Sequence, residues 1–437
     1  MATELTNIAN RAKESPCLRF TSLVHLLNED FLKGCYLELK KGKAPGIDSM
    51  TVEEYGKKLE ENIKDLVERL KAKRYIPQPV RRAYIPKPNG DKRPLGIPTV
   101  EDKIVQMGIK KIIEAIYEQD FMDVSYGFRP GRSPHDALDE LDKGIVTKPI
   151  NWIVDMDIEK FFDTIDHRWL MEFLKHRIAD PNLLRLIGRF LKSGVVEDGQ
   201  YIQTDTGTPQ GGNLSPLLAN IYLHYVLDLW FEKKVKKSLK GYGKLIRFAD
   251  DFVACFQSER EARIFGEELR KRLAKFGLTI SEAKSKIIRF GLYAGKEAGT
   301  FDFLGITHYN TRTRSGKYQL GRKTSSKKLR QKLTGMNHWL KNHRSSMPLR
   351  EWWQILRQKM LGHYRYYGIR GNSRSLLSYE YHVKRLVYKW INRRSQKSSY
   401  NWKQFIKWLE HNPLPGPKIY HKPYKSGHTI VGMTEIT

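Results

Sequence analysis

Between Lys244 and Phe256 the chain runs Leu245, Ile246, Arg247 and Phe248, then Ala249-Asp250-Asp251, then Phe252, Val253, Ala254, Cys255 and Phe256. Apolar residues on both sides of so short a polar centre read as two buried strands folded back at a tight turn. Such a hairpin pushes two adjacent carboxylates out of an apolar body. Carboxylates held that way are costly unless a cation sits on them, and a hard divalent ion with oxygen ligands is the natural partner.

A third carboxylate is supplied upstream. Trp152, Ile153 and Val154 form a predicted strand with Asp157 at its end, followed by Phe161 and Phe162. A strand-end Asp and a hairpin Asp pair, distant in sequence but able to meet in space, are what two-metal phosphoryl transfer requires. Two such ions ~3.5–4 Å apart would then share the work, one activating a primer 3′ hydroxyl and one holding a triphosphate. An Asp pair in a turn is also common solvated decoration; Asp157 is what favours the metal reading. Phe162, five residues beyond Asp157, is placed to lie under the sugar of an incoming nucleotide and collide with a 2′ hydroxyl. The competing reading makes Phe161 and Phe162 both core.

Cations and glycines precede and separate these acids. Val80 to Pro98 reads as a β-hairpin with Asn89-Gly90 at its tip, carrying Arg81, Arg82, Lys87, Lys92 and Arg93. These suit a triphosphate or a template backbone; a solvated edge hairpin guarded by Lys and Pro is the plainer account. A long helix is expected from Val100 to about Glu118. Tyr126 to Ser133 is a loop rich in Gly and Arg, with Arg129 and Arg132, and Ser133-Pro134 starts another helix. At Gly211-Gly212 the backbone is free to approach a ligand closely, and Gln210 beside them is placed to hydrogen-bond a nucleotide or the template. Ser215 and Pro216 open a helix so apolar that it belongs beneath the sheet. Phe301 to Thr307 reads as one short strand whose Gly305 suits a grip on a primer end. Residues 1–40 are predicted helical, and Thr51 with Glu54 caps a helix reaching about Ala72.

Charge sets the partner class. The formal net charge is +30, and residues 311–437 hold 28 Lys and Arg against 4 Asp and Glu, so +24 of it lies in that portion. An excess this local points to a polyanion. Three helical patterns follow a polar, basic, glycine-containing stretch at Asn310 to Thr324: Ser326–Asn342, Pro348–Tyr367 and Ser375–Arg394. Their aromatic faces are suited to packing and their basic faces to a duplex, with Lys327, Lys328, Arg365, Arg393 and Arg394 among the expected contacts. Three scattered cysteines exclude a disulfide frame or a paired-cysteine zinc site, and no run of 18 apolar residues suggests a membrane span.

Taken together, Ile85 to Pro98, Tyr126 to Ser133, Thr208 to Pro216, Arg247 to Asp251 and Phe303-Leu304-Gly305 resemble the reverse transcriptase and maturase proteins encoded by group II introns, of the bacterial type without an endonuclease domain. The resemblance implies an α+β right-hand polymerase: an N-terminal helical extension (1–40), fingers and palm (41–310) built of antiparallel sheet plus helices, an α-helical thumb or maturase domain (311–395), and a short DNA-binding-like tail (396–437). It implies that Asp157, Asp250 and Asp251, with the backbone carbonyl of Ile158, bind two Mg²⁺. Lys87 and Arg93 would hold triphosphate, and Phe162 and Gln210 would line the nucleotide pocket. Implied partners are dNTPs, an RNA template with a DNA primer, the group II intron RNA and target DNA, in a bacterial cytoplasm near the nucleoid, with homodimer formation left open. Relatives often carry Tyr where Phe248 stands, which removes one hydroxyl near the primer end. Two alternatives stay open: an RNA-binding splicing maturase with an idle polymerase site, and a domesticated reverse transcriptase in defence or repair.

Overall fold

A computed structural model describes residues 2–86, 92–208, 211–394 and 399–422. The architecture is α+β, with three antiparallel or mixed sheets set among helices. In chain order the strands are β1 (Val80–Pro86), β2 (Lys92–Ile97), β3 (Trp152–Asp157), β4 (Val195–Glu197), β5 (Gln200–Ile202), β6 (Gly243–Phe248), β7 (Asp251–Phe256), β8 (Lys286–Arg289), β9 (Thr300–Phe303), β10 (Ile306–Arg312) and β11 (Tyr318–Thr324). They form sheets in the orders β2-β1-β4-β5, β6-β7-β3-β8 and β11-β10-β9.

The central sheet is β6-β7-β3-β8, and its two faces feed two cores. Side chains alternate along a strand, so Val154, Met156, Phe252 and Ala254 enter one core while Ile153, Val253 and Cys255 enter the other. The first core is covered by the helices Val100–Tyr117, Ser215–Leu223 and Glu259–Lys275. The helix beginning at Ser215 is buried nearly all round, as its composition requires, and continues through two π-turns, His224–Asp228 and Phe231–Val235. The second core joins the opposite sheet face to Trp352, Leu356, Met360, Tyr364 and Tyr379 of the C-terminal helices. Those helices span Ser326–His343, Leu349–Tyr367 and Ser373–Ile391, close to the ranges their periodicity predicts.

Capping chemistry sets several boundaries. Ser133 and Asp136 form a capping box under Pro134–Thr147, as do Thr51 and Glu54 under Val52–Gly56. The latter helix stops after five residues and a separate one runs Leu59–Lys71, so the single helix expected to reach Ala72 is broken at Lys57 and Lys58. Asp180 caps Pro181–Leu191 and also accepts the amides of Leu23 (2.7 Å) and Val24 (2.8 Å), stitching the N-terminal segment to the body.

One further expectation is corrected. The single strand expected over Phe301 to Thr307 is the corner between β9 and β10: Leu304 and Gly305 both take positive φ (51° and 77°), which reverses the chain. The polar segment after Asn310 is a regular hairpin, β10 with β11, registered from Ile306↔Thr324 to Arg312↔Tyr318. The hairpin of β1 and β2 is antiparallel and ends at Pro86↔Lys92; its tip, with Lys87, Asn89 and Gly90, lies outside the described residues.

Candidate functional site

The central sheet presents its acids by register. On β3 and β7, Asp157 pairs directly with Asp251, which sets their Cα atoms ~4.5–5.5 Å apart. Both lie on the face opposite Val154, Met156, Phe252 and Ala254. β6 and β7 are joined by a two-residue loop, Ala249-Asp250, closing the pair Phe248↔Asp251. Ala249 has φ 59°, the sense of a primed hairpin turn. The three acids expected to meet are therefore neighbours, one on β3, one in the turn and one at the head of β7.

A fourth acid joins them. Asp155 stands two residues before Asp157 and so on the same face, where burial, and then the charges of Asp302 and Asp157, push its carboxyl up to about 7. Strand alternation alone would have revealed it. Asp251 is likewise raised to about 7, first by desolvation and then by Asp155 and Asp250. Its surface is open to the cleft. Burial and then Asp157 raise Asp250, against the pull of its own backbone amide and of Arg93. Asp157 is met by Lys284, whose Nζ lies 2.6 Å from Oδ2.

A cleft of about 1340 Å³ opens over Asp250 and Asp251. Its wall includes Arg93, Phe162, Gly211, Asp250, Asp251, Gly305 and Lys328, facing His363 and Tyr366 of the helix Leu349–Tyr367. Gly211 is required here: its φ is +118° and a Cβ would meet the Gly96 carbonyl oxygen at 2.6 Å, so β2 with Arg93 and the loop after 210 close tightly on each other. Gln210 itself lies outside the described residues, as does Lys87. Tyr366 donates its hydroxyl to the Leu304 carbonyl at 3.0 Å, tying the β9–β10 corner to the far wall.

A family model described as reverse transcriptase (RNA-dependent DNA polymerase) matches residues 85–308, more than half of the chain. The chain belongs to the reverse transcriptase family. It is 36% identical over 302 residues to the Group II intron-encoded protein LtrA of Lactococcus lactis subsp. cremoris, covering 66% of this chain and 50% of that protein. It is 30% identical over 350 residues to Protein YkfC of Escherichia coli (strain K12), covering 72% and 89%, and 29% identical over 176 residues to Nuclear intron maturase 2, mitochondrial, of Arabidopsis thaliana, covering 31% and 24%. The chain thus spans about half the length of LtrA. These similarities bear out the resemblance to group II intron reverse transcriptases and maturases.

The donor set of this chain suits a hard cation. Carboxylates pushed up by burial and then by one another's charge favour ionisation once positive charge arrives, and Mg²⁺ binds oxygen. Among the described residues no three His, Cys, Asp or Glu side chains stand as a ready-made cage; Asp157 is turned to Lys284 instead. Among the described residues no helix is long and apolar enough to cross a membrane.

Several cations expected on nucleic acid are engaged within the protein. Arg129 is buried, paired with Glu118 (3.0 Å) and donating to the carbonyls of Met122 (2.8 Å) and Ser125 (2.9 Å), so its guanidinium braces its own loop. Arg132 pairs with Asp123 at 2.7 Å, and Arg81 donates to the Pro45 carbonyl at 2.8 Å. Arg82 lies 3.8 Å from Glu197. Arg394 donates to the Met347 carbonyl at 2.9 Å and covers the Trp352 ring. Lys327, Lys328, Arg365 and Arg393 are exposed, the last stacked over Trp390. The engaged placements are invisible in the sequence because each partner comes from a different turn of chain.

Phe161 and Phe162 part company. Phe161 is buried, whereas Phe162 is half-buried and forms part of the cleft wall, edge-on to Phe161 at 5.5 Å. If Phe162 meets the sugar, Phe162→Ala raises ribonucleotide incorporation relative to deoxynucleotide, read as the ratio of kcat/KM values; an unchanged ratio assigns it to packing alone.

Proposed function

We propose that this chain is an RNA-directed DNA polymerase that copies RNA into DNA by two-metal nucleotidyl transfer and binds a group II intron RNA to assist its splicing and retrohoming. The observation that carries the reading is the register of Asp157 against Asp251 beside the turn residue Asp250, beneath a cleft that Arg93 and Phe162 enter from other elements. Asp157, Asp250 and Asp251 with the Ile158 carbonyl would hold Mg²⁺. When bound, the ions supply a lowered pKa at the primer hydroxyl and neutralise charge on the triphosphate. Arg93, with Lys87, binds phosphate; Phe162 and Gln210 orient and select the nucleotide; the apolar cleft wall limits water around the reacting groups.

In this reading residues 41–310 are fingers and palm, 311–395 a thumb that grips nucleic acid, 1–40 an N-terminal extension and 396–437 a DNA-binding-like tail. The direct test is primer extension on an RNA template with dNTPs and Mg²⁺. Absence of DNA product from folded protein that still binds RNA would favour an idle maturase instead.

The concentration of charge in residues 311–437 favours RNA binding through phosphates. Replacing the exposed Lys328 and Arg365 with Ala is expected to reduce the slope of log affinity against log salt by about 1 for each phosphate that is no longer neutralised. Filter binding at graded salt measures it, and an unchanged slope places the duplex elsewhere.

A further inference from the structure

The turn that carries Asp250 is held from beneath by a side chain outside the cleft. Arg247, next to last in β6, is completely buried. Its Nε lies 2.7 Å from Asp228 Oδ1 and its Nη2 2.5 Å from Oδ2. Nη2 also donates to Ser125 Oγ at 2.8 Å, and Nη1 to Asn220 Oδ1 at 3.0 Å and to the backbone carbonyl of Ala249 at 2.8 Å.

The last of these bonds sets the network apart from an ordinary buried ion pair. Asp228 alone satisfies the charge of the guanidinium through two parallel bonds. Nη1 then reaches the Ala249 carbonyl, which begins the peptide leading into Asp250. Ala249 carries a left-handed φ of 59° without being glycine, a conformation that persists only where the surroundings impose it. Arg247 supplies that imposition across a distance of two residues, from the strand to the turn it precedes.

The rest of the set fixes the guanidinium. Asn220, while accepting from Arg247, donates Nδ2 to the Gly127 carbonyl at 2.6 Å. The backbone of residues 124–126 runs beside Arg247, bonded both ways: Arg247 N to the Val124 carbonyl and Tyr126 N to the Arg247 carbonyl, each 2.8 Å. Asp228 closes the π-turn His224–Asp228; π-turns inserted in helices are frequent at functional sites. Here the insertion sits between Asn220 and Asp228, both of which face the same arginine.

We propose that Arg247 is a positioning residue for nucleotidyl transfer: through the Ala249 carbonyl it fixes the turn that presents Asp250 and Asp251, while Asp228, Asn220 and Ser125 lock its planar fork in place. The kinetic consequence rests on the polymerase reading given above; the clamping of the turn does not.

Two variants separate clamp from mere packing. Arg247→Met combined with Asp228→Leu removes both charges together, so no buried charge is left unpaired, and such replacements often leave stability unimpaired. Arg247→Lys keeps the charge but offers a point cation in place of a fork, which cannot serve Asp228 and the Ala249 carbonyl alike. Each is compared with the wild-type chain by thermal unfolding, by amide hydrogen exchange over residues 249–251 in metal-free protein, and by primer extension.

For the paired variant the expected results are retained cooperative unfolding, exchange over 249–251 faster by about tenfold or more, and kcat lower by about 10²-fold. KM for template-primer and dNTP should change little, and Arg247→Lys should fall between the two proteins. A folded paired variant with wild-type exchange and wild-type kcat overturns the proposal. If the paired variant does not fold, Arg247→Lys decides alone, and wild-type exchange and kcat in it overturn the proposal equally. If the wild-type chain makes no DNA, the polymerase reading fails while exchange still judges the clamp: faster exchange in the variants upholds it and unchanged exchange removes it.

Discussion

Asp251→Asn is expected to reduce DNA synthesis by at least about 10³-fold, since each metal-holding carboxylate carries a share of several kcal/mol of transition-state charge stabilisation and 1.36 kcal/mol is a decade in rate. The substitution is nearly isosteric; it removes the charge and turns one acceptor oxygen into an NH2 donor. Asp251 sits in register with Asp157 and accepts from the Leu304 amide, a bond that an Asn oxygen can keep, so the exposed basic helices are untouched. Intron-type RNA binding, measured by filter retention, should therefore stay within about twofold, the scale of surface effects away from such features. The amide also removes a charge that stands against those of Asp155 and Asp250, so thermal stability without metal should be unchanged or slightly improved. Rapid-quench primer extension with Mg²⁺ measures the rate. Synthesis within tenfold of wild type would remove Asp251 from the reaction; an equal loss of synthesis and RNA binding would show that the acid serves the fold.

Much of this site is legible in the sequence, and the reasons are local. Trp152 to Asp157 and Lys244 to Phe256 announce strands because apolar runs of that length, broken by a two-residue polar turn, have few other ways to fold. Alternation then decides which face an acid takes, and the same rule places Asp155, two residues from Asp157, on the face of the other acids. The C-terminal helices are legible from their period.

What stays hidden depends on how the chain folds back to bring partners together. Arg129 reads as a nucleic-acid contact because nothing beside it reveals that Glu118 and two carbonyls close over its guanidinium. Arg247 reads as a polar interruption in a buried strand, and its four partners come from residues 125, 220, 228 and 249. The corner at Leu304 reads as strand because only Gly305 signals a turn, whereas Leu304 is held at φ 51° with its carbonyl bonded to Tyr366, sixty-two residues away. Propensity loses to such tertiary contacts wherever a single residue must adopt a minority conformation.

Gly127→Ala is expected to damage the same turn from the opposite side. Gly127 keeps a negative or extended φ, so conformation alone does not demand glycine there. Contact does: a Cβ at this position would stand 2.3 Å from the Ala249 nitrogen and 2.9 Å from the Phe248 carbonyl carbon. Both are backbone atoms with no rotamer to yield, and restoring ordinary contact near 3.5 Å requires the turn to retreat by about 1 Å. The carboxylates of Asp250 and Asp251 move with it, and a displacement of that size at reacting groups costs about 10²-fold in rate. Overpacking adds roughly 1–3 kcal/mol of destabilisation, so unfolding and single-turnover extension are measured together at a temperature where the variant is folded. Gly131→Ala is the control within the same loop: Gly131 has φ +68° but nothing within 4 Å of a built Cβ. That variant bears a conformational cost of about 1 kcal/mol without pressing on the turn, and should synthesise DNA at nearly the wild-type rate. Equal losses in the two variants would mean that the loop's stability, rather than its contact with Ala249, governs the chemistry.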